Sequence, residues 1–580
     1  MIMKKQIISI ISLLLISTEV IAQYCKINDI IYGLDSSNNT AFVTYDRAFN
    51  YYYSGDVNIP SEIEYQGIKY SVISIGRSAF EQCHEVKSVT IPNSVTNIEE
   101  KAFHFCTSLK SVTLGEGVTS IEKSAFSSST IESVVIPNSV SSIGNYAFQS
   151  CQELASVIIG NGVKSIGDNA FKSCCKLTSL IIPDCVTSIG NEAFSGCGLT
   201  SVTIGNGVTS IGDNTFNGCR KLETVDIGDG VTSIGENAFY DCIISSLKIG
   251  KGVQSIGTHA FTGNKCTSIN IPSNVISIGV AAFSSCLNLV SLNIENGLKS
   301  IGKEVFFGCA NLKSLTLPES LESIGEHAFR NCHALESLTI PDNVTSIDDM
   351  AFYNCDSIAS LKLSNNLSSI GNHAFENCVK LTSLTIPNSV ISIGDYAFRS
   401  WENLTSLTIP NSVTNIGKGA FSNCYSLTSV TIPNSVTSLG ESAFYYSREL
   451  STVTLSKNLS IIADRTFEGC TKLKDVYCPR EEVPTATEKV FVADYFNNNL
   501  DHLDNATLHV PEMSIEKYKS TYPWSRFGKI ISIEDISGIQ DVIVEHNENK
   551  NNSIYTILGQ KLAMPQKGLN IIDGKKVIVK

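Results

Sequence analysis

The cysteines are the first residues in this chain that invite a chemical reading. The sequence of 580 residues carries 19 Cys and 9 His. Fourteen of the cysteines, from Cys83 to Cys470, stand three residues after a Phe that recurs at a fixed interval. A structural zinc needs four ligands converging as a tetrahedron, and one thiol per repeat runs in a line instead. Strands stacked about 4.8 Å apart bring neighbouring Cα atoms within disulfide range, but parallel side chains give poor torsions. The regular cysteines therefore read as a column of small, inert hydrophobes. Cys25, Cys175, Cys185, Cys266 and Cys478 lie off the column, and any disulfide of a secreted chain is expected among them. His259, His327 and His373 each stand two residues before the recurrent Phe, in a slot that elsewhere holds Asn, Tyr or Glu, which predicts a solvent position. His84 and His333 follow column cysteines and are equally tied to the repeat. No Cys/His or Ser/His/Asp group escapes that pattern. No catalytic residue, cofactor-binding residue or metal ligand is assigned, no cofactor is expected, and the chain does not read as an enzyme. The GNG, GEG and GDG triplets fall in a turn slot rather than between a strand and a helix, so they are not phosphate loops.

The composition narrows the function classes. A formal net charge of −13 with no run of Lys or Arg argues against nucleic-acid binding, which requires phosphate neutralisation. With 42% hydrophobic residues the chain is not disordered. At the N-terminus, Lys4 and Lys5 precede an apolar run from Ile7 to Ile16, and Ala22 offers a small residue at a cleavage site. That order predicts a secretory signal peptide cut after Ala22 and too short to span a membrane. No later stretch reaches the roughly 18 apolar residues of a membrane span. The protein is expected to be secreted, with no membrane-spanning segment.

The elements that must position these residues follow from the period. The recurrent Phe falls at eighteen places from Phe80 to Phe467; thirteen of the seventeen intervals are 23 residues and four are 22. So tight a lock means one solenoid, with one coil per repeat. In the copy starting at Leu404, Leu404, Leu407 and Ile409 alternate with Ser406 and Thr408, which predicts a short strand buried on one face. Pro410-Asn411-Ser412 turns the chain. Val413 and Ile416 point inward on a second short extended piece, and Gly417 is expected to break it at positive φ. Lys418 to Cys424 suits a helical or 3₁₀ turn. In other copies an acidic residue follows the Gly, as at Asp168, Asp213 and Glu236, where it is expected to cap that turn.

The phrase LTSLTIPNSVTNIGKGAF and its kin resemble the BspA-like leucine-rich repeats, a bacterial-surface subclass with a 23-residue period, over residues from about 76 to 478. Trp401, Ser447, Ser129 and Asn264 depart from it by replacing the column Cys. The implied fold is a repeat solenoid of about eighteen coils of 22–23 residues, with a parallel β-sheet on its concave face, short extended and 3₁₀ or helical turns elsewhere, and a small β-type C-terminal domain. The expected organisation is a signal peptide at 1–22, an N-terminal cap at 23–75, the solenoid at 76–478, a C-terminal capping segment at 479–540, and a linker with a terminal domain at 541–580. Tyr51, Tyr52 and Tyr53 are expected to form core and edge of the first cap. At the chain end, Asn570-Ile571-Ile572, Asp573-Gly574 and Lys575 to Lys580 signal a hairpin with a two-residue turn. Tyr555, Gly559, Gly568 and the GKKVIVK ending are similar to the C-terminal sorting domain of type IX secretion in Bacteroidota, which implies passage to the outer surface of a bacterium.

What remains is the outward face of the first strand. Two columns emerge there, one almost all Ser and one mixed. In the mixed column Val135, Ile158 and Ile181 form an apolar strip on adjacent coils, followed by Thr203 and the polar rim of Asp226 and Lys248. These six residues are the candidate contact for a partner. The BspA-like resemblance implies adhesion, to host matrix proteins such as fibronectin and fibrinogen or to other cells. A passive surface spacer or envelope scaffold, and a glycan-capture protein, are the alternatives. The outward columns carry no aromatic residue before Tyr477, which disfavours glycan capture by this face. No oligomeric state is assigned.

Overall fold

The structure, a computed structural model, describes residues 23–45, 52–493 and 499–533, together with the backbone of four strands between 554 and 579. The expected signal peptide, Tyr51, Gly559 and the linker from 541 to 553 lie outside the described residues. The chain forms two compact units, Met1–Val253 and Gln254–Lys580.

Each unit is a stack of parallel β-coils, because every copy of the repeat buries the same residues. In the copy starting at Leu404, the side chains of Leu404, Val413, Ile416, Ala420, Phe421 and Cys424 are fully enclosed. The first strand of a coil is three or four residues long, as at Ser133–Val135 and Ser201–Ile204, and pairs in parallel register with its neighbour. The second is two residues long, as at Ser142–Ile143, and pairs Ile143 with Ile166 of the next coil. The four 22-residue coils lose their residue between the column slot and the strand, so that Ile131, Leu199, Ile244 and Cys266 still occupy the buried Leu position. The deletion falls where it leaves strand register intact. Cys266 is therefore a core residue of its coil, and no two of the nineteen cysteines are joined as a disulfide.

The recurrent phenylalanines stack like coins. In the first unit successive rings from Phe80 to Phe239 lie 4.7 to 5.4 Å apart and within 12° of parallel. Tyr53 closes that stack against Phe80 at 4.4 Å, as a residue of the cap core, while Tyr52 stays exposed. In the second unit the stack runs from Phe261 and is continued past Phe467 by Phe491, which lies outside the eighteen copies. Trp524 and Phe527 then meet Phe491 edge-on and end it.

Three local expectations are corrected. Gly417 is not at positive φ; the left-handed residues are Gly419 (φ 58°) and Asn423 (φ 60°), two before and two after Phe421. Every one of the eighteen copies repeats this pair, often with ordinary side chains such as Glu192, Lys101 or Arg465. The reason is hydrogen bonding. The N–H groups of Gly419, Phe421 and Asn423 donate to the next coil, while those of Ala420 and Ser422 turn back within their own. The segment is thus a string of turns that doubles as an inter-coil ladder; among the described residues 3₁₀ and α-helix occur only from Glu488 onward. Gly417 is required for proximity instead, since a Cβ there would lie 2.6 Å from the backbone of Gly394 and Asp395 in the preceding coil.

The residue after that Gly does not cap its own turn. Asn145 Oδ1 accepts the Asp168 N–H at 2.9 Å, Asp168 accepts that of Asn191 at 2.8 Å, and Asp213 that of Glu236 at 2.8 Å. A second ladder of this kind runs through the turn slot, from Asp184 to Asn206 (2.7 Å) and Asn206 to Asp229 (2.9 Å). The Asn and Asp residues are therefore clasps between coils.

The cysteine column is buried but not inert. From Cys106 onward each column thiol donates to the backbone carbonyl of the Phe one coil back, as Cys106 to Phe80 (3.0 Å), Cys151 to Phe126 (3.1 Å) and Cys355 to Phe329 (3.3 Å). Two of the four substitutes keep the bond, Trp401 Nε1 reaching the Phe375 carbonyl at 2.7 Å and Ser447 Oγ that of Phe421 at 3.5 Å, whereas Ser129 Oγ donates to Phe126 of its own coil at 2.7 Å. Burial pushes the thiols of Cys83 and Cys151 up to about 11 and those of Cys242 and Cys424 to about 12, which keeps the proton needed for donation. Alkylation of the native protein at neutral pH should therefore modify the exposed Cys175 and, more slowly, the half-buried Cys185, with all 19 cysteines reacting after denaturation. Intact-mass spectrometry reads both numbers, and native labelling of the column would contradict the arrangement.

Beyond the last repeat, the strands Thr507–Val510 and Lys529–Ser532 add in parallel to Asp475–Tyr477 and carry the sheet into the C-terminal segment. The chain-end hairpin is present: Gly568–Ile572 pairs antiparallel with Lys575–Val579, with Ile572 opposite Lys575 and two residues between them.

Candidate functional site

Alternation along the first strand fixes what the surface displays. Its middle residue faces the core and its two neighbours face out. In the first unit one outward column reads Ser133, Ser156, Ser179, Ser201, Thr224 and Ser246. The adjacent column brings together all six residues singled out by the sequence. Val135 stands opposite Ile158; Ile181 opposite Thr203; Thr203 opposite Asp226; and Asp226 opposite Lys248. The three apolar side chains are exposed by 59%, 59% and 72%. Val135 and Ile158 stand on the last two strands of one sheet and Ile181 on the end strand of the next, so the β-branched surface spans three successive coils beside a column of hydroxyls. Covering it recovers roughly 1–2 kcal/mol per side chain. At the far end Lys248 Nζ lies 2.8 Å from Asp226 Oδ1, and this hydrogen bond raises the Lys248 pKa.

Both members of that pair remain well hydrated, with side-chain exposures of 44% and 63%. Asp226→Asn or Lys248→Ala should change stability by less than about 0.5 kcal/mol. A melting curve checks this, and a loss of several kcal/mol would show that the pair supports the fold rather than decorating it.

The histidine slots differ from expectation. His259, His327 and His373 sit at left-handed positions and are half-buried rather than solvated, with His373 stacked on Tyr396 at 4.9 Å. Two described histidines lie outside the repeats. His509 lies in the mixed column beside Tyr477, at 4.2 Å between ring centroids, and its Nε2 meets Asp475 Oδ1 at 2.8 Å. His502 lies on a 3₁₀ helix, Asp501–Asn505, next to them. The signal was present: Thr507-Leu508-His509-Val510-Pro511 repeats the spacing of Ser406-Leu407-Thr408-Ile409-Pro410. Among the described residues no group of three or more His, Cys, Asp or Glu is placed to hold a metal ion, and no helix is long and apolar enough to cross a membrane.

The model of the BspA type leucine rich repeat region matches residues 73–200, 187–309, 277–401 and 391–500, well over half of the chain. The chain belongs to the BspA-type leucine-rich repeat family. Its coils are thus those of a BspA-type repeat array. Solved structures similar to it include a leucine-rich repeat protein from Bacteroides ovatus, 28% identical over 70% of this chain and 94% of that one, with a TM-score of 0.49. A leucine rich cell surface protein from Faecalibacterium prausnitzii is 24% identical over 81% of this chain and 98% of that one, with a TM-score of 0.27. The pneumococcal vaccine antigen PcpA is 15% identical over 89% and 99%, also with a TM-score of 0.27. No curated protein matches the chain.

Proposed function

We propose that this BspA-type repeat protein is exported to the outer surface of a bacterium and binds a protein partner there, on host matrix or on another cell, through the strand face of its first unit. The observation that carries the reading is the exposure of Val135, Ile158 and Ile181 on three successive coils, with Val135 in register with Ile158 and Ile181 in register with Thr203 and, through it, the Asp226–Lys248 pair. An apolar strip with a charged rim has the layout of a small protein interface, an apolar centre with a polar border. A row of similar faces suits an adhesin, since many weak contacts on one cell surface add by multivalency. The export half of the proposal rests on Lys4, Lys5, the apolar run to Ile16 and Ala22 at one end, and at the other on Tyr555, Gly559, Gly568 and the GKKVIVK ending, similar to a type IX sorting domain. In this reading residues 23–75 and 479–540 are caps and residues 541–580 are an address.

Protease shaving of intact producing cells tests it, comparing the full chain with one ending at Asn552. Release of solenoid fragments from the full-length strain, with retention inside the truncated strain, is the expected result. Protection of both would place the protein inside the envelope and remove the adhesion reading in favour of a scaffold.

A further inference from the structure

The first unit opens on a hairpin whose first residue is Gln23. The strand Gln23–Ile27 pairs antiparallel with Ile30–Asp35 and is the outermost strand of its sheet. Asn28 and Asp29 join the two, both in the left-handed conformation (φ 50° and 62°). A two-residue turn of that kind closes on a hydrogen-bonded pair, here Ile27 and Ile30. Bonded and non-bonded pairs then alternate along the ladder. Cys25 with Tyr32 is therefore a bonded pair, and so is Gln23 with Leu34. The hairpin is anchored inward, since Cys25 is 7% exposed and Tyr32 is fully buried. The backbone of Gln23 is thus fixed on the sheet. Its side chain is exposed and makes no hydrogen bond among the described residues.

In the export reading the signal is cut after Ala22, and Gln23 becomes the first residue of the mature chain. Resting on that cut, we propose that Gln23 is a modification site, where the freed α-amine closes on its own side chain to give a pyroglutamyl terminus. The step is intramolecular and needs no co-reactant. The Nα lone pair attacks the carboxamide carbon Cδ. The Nα–Cδ bond forms as the Cδ–Nε2 bond breaks, and Nε2 leaves as ammonia with a proton taken from Nα. The product is a five-membered lactam, and tethering amine and amide in one residue supplies the high effective concentration of an intramolecular reaction. An α-amine titrates at about 8, so a neutral, nucleophilic fraction is present near neutral pH.

The position suits the step. No competing partner holds the Gln23 carboxamide away from Nα. The Gln23 carbonyl takes no part, so it still accepts the Leu34 N–H of the bonded pair. Closure removes the terminal positive charge and the free amine that aminopeptidases require. The outermost strand is then sealed at its free end. The site is separate from the exposed strip of Val135, Ile158 and Ile181 and stands whether or not that strip binds a protein.

The test is mass spectrometry of the N-terminal peptide of the protein recovered from producing cells. A synthetic peptide of residues 23–35 is carried through the same handling as a control. The expected result is a peptide that starts at Gln23 and is lighter by one ammonia, beside a control that stays uncyclised. A peptide that starts at Gln23 with a free amine would overturn the proposal and leave the cut after Ala22 standing. A start at any other residue would remove the cut itself, and the proposal with it. Equal cyclisation of the control would make the ring a product of handling and overturn the proposal as well.

Discussion

Raising the pH from about 8 to about 10 should unfold this protein cooperatively. Twelve of the fourteen column thiols have a raised pKa in the folded state, eleven chiefly through burial and Cys286 chiefly through a hydrogen bond with Cys309. In the unfolded chain the same thiols ionise near the ordinary value of 9.0. Below that pH both states hold the proton and the column carries no penalty. Above it the unfolded state releases protons that the folded state retains, so stability falls as pH rises toward the folded values. Each thiol contributes about 1.4 kcal/mol per pH unit in that window. Twelve together give roughly 17 kcal/mol over one unit, more than the 5–15 kcal/mol net stability of most domains. Far-UV circular dichroism against pH should show a steep transition between about pH 9 and 10, before most Lys side chains titrate. Replacing several column cysteines by Ser, which keeps the donor and removes the titration, should move the transition upward. Native ellipticity retained to pH 11 would mean that the thiols are not held as described.

Phe171→Ala should be the most damaging single substitution among those in the first unit's stack. Phe171 is fully buried, with ring centroids 5.1 Å from Phe148 and 5.3 Å from Phe194. Removing a buried Phe typically costs about 3–5 kcal/mol, and each lost ring pair adds about 0.5–1.5 kcal/mol. A coil cannot bury its apolar face alone, so the defect acts on both neighbours and divides the array. Urea denaturation should show a lower midpoint and a broader or two-step transition, because the two sides of the defect uncouple. The contrasting substitution is Phe171→Leu, which refills most of the space and should cost roughly half as much. A single sharp transition with an unchanged midpoint in Phe171→Ala would show that stability resides in the strands and not in the ring stack.

The sequence made the repeat, the strands and their outward columns legible because they rest on residue type alone. A Val, Leu or Ile every second position, at an interval of 22 or 23, leaves one arrangement that buries all copies alike. For the same reason Val135, Ile158, Ile181, Thr203, Asp226 and Lys248 could be placed in one column. The conformation of the turns was not legible, because the left-handed slots are imposed by the inter-coil ladder and accept Glu192 or Lys101 as readily as Gly419. Nor was the role of the column cysteine. A thiol and a small hydrophobe look alike in a sequence, and only the 2.7 Å contact of Trp401 Nε1 with the same carbonyl position reveals that the slot needs a donor. Asp168 pointed to a cap because an acidic residue before a turn usually makes one; here the nearest bare N–H belongs to the next coil. His502 and His509 were not legible because the last of the eighteen Phe marks is Phe467, while the strand pattern runs one step further.

The most direct measurement of the central claim is the affinity of the purified full chain for immobilised fibronectin and fibrinogen, beside a variant carrying Val135→Ser, Ile158→Ser and Ile181→Ser together. All three side chains are exposed, so the variant should melt with the parent protein. The account predicts binding by the parent chain and a loss of at least about tenfold in the variant, as expected when an apolar centre of an interface is removed. Equal affinity of the two chains, or no binding of either matrix protein by the parent, would contradict it.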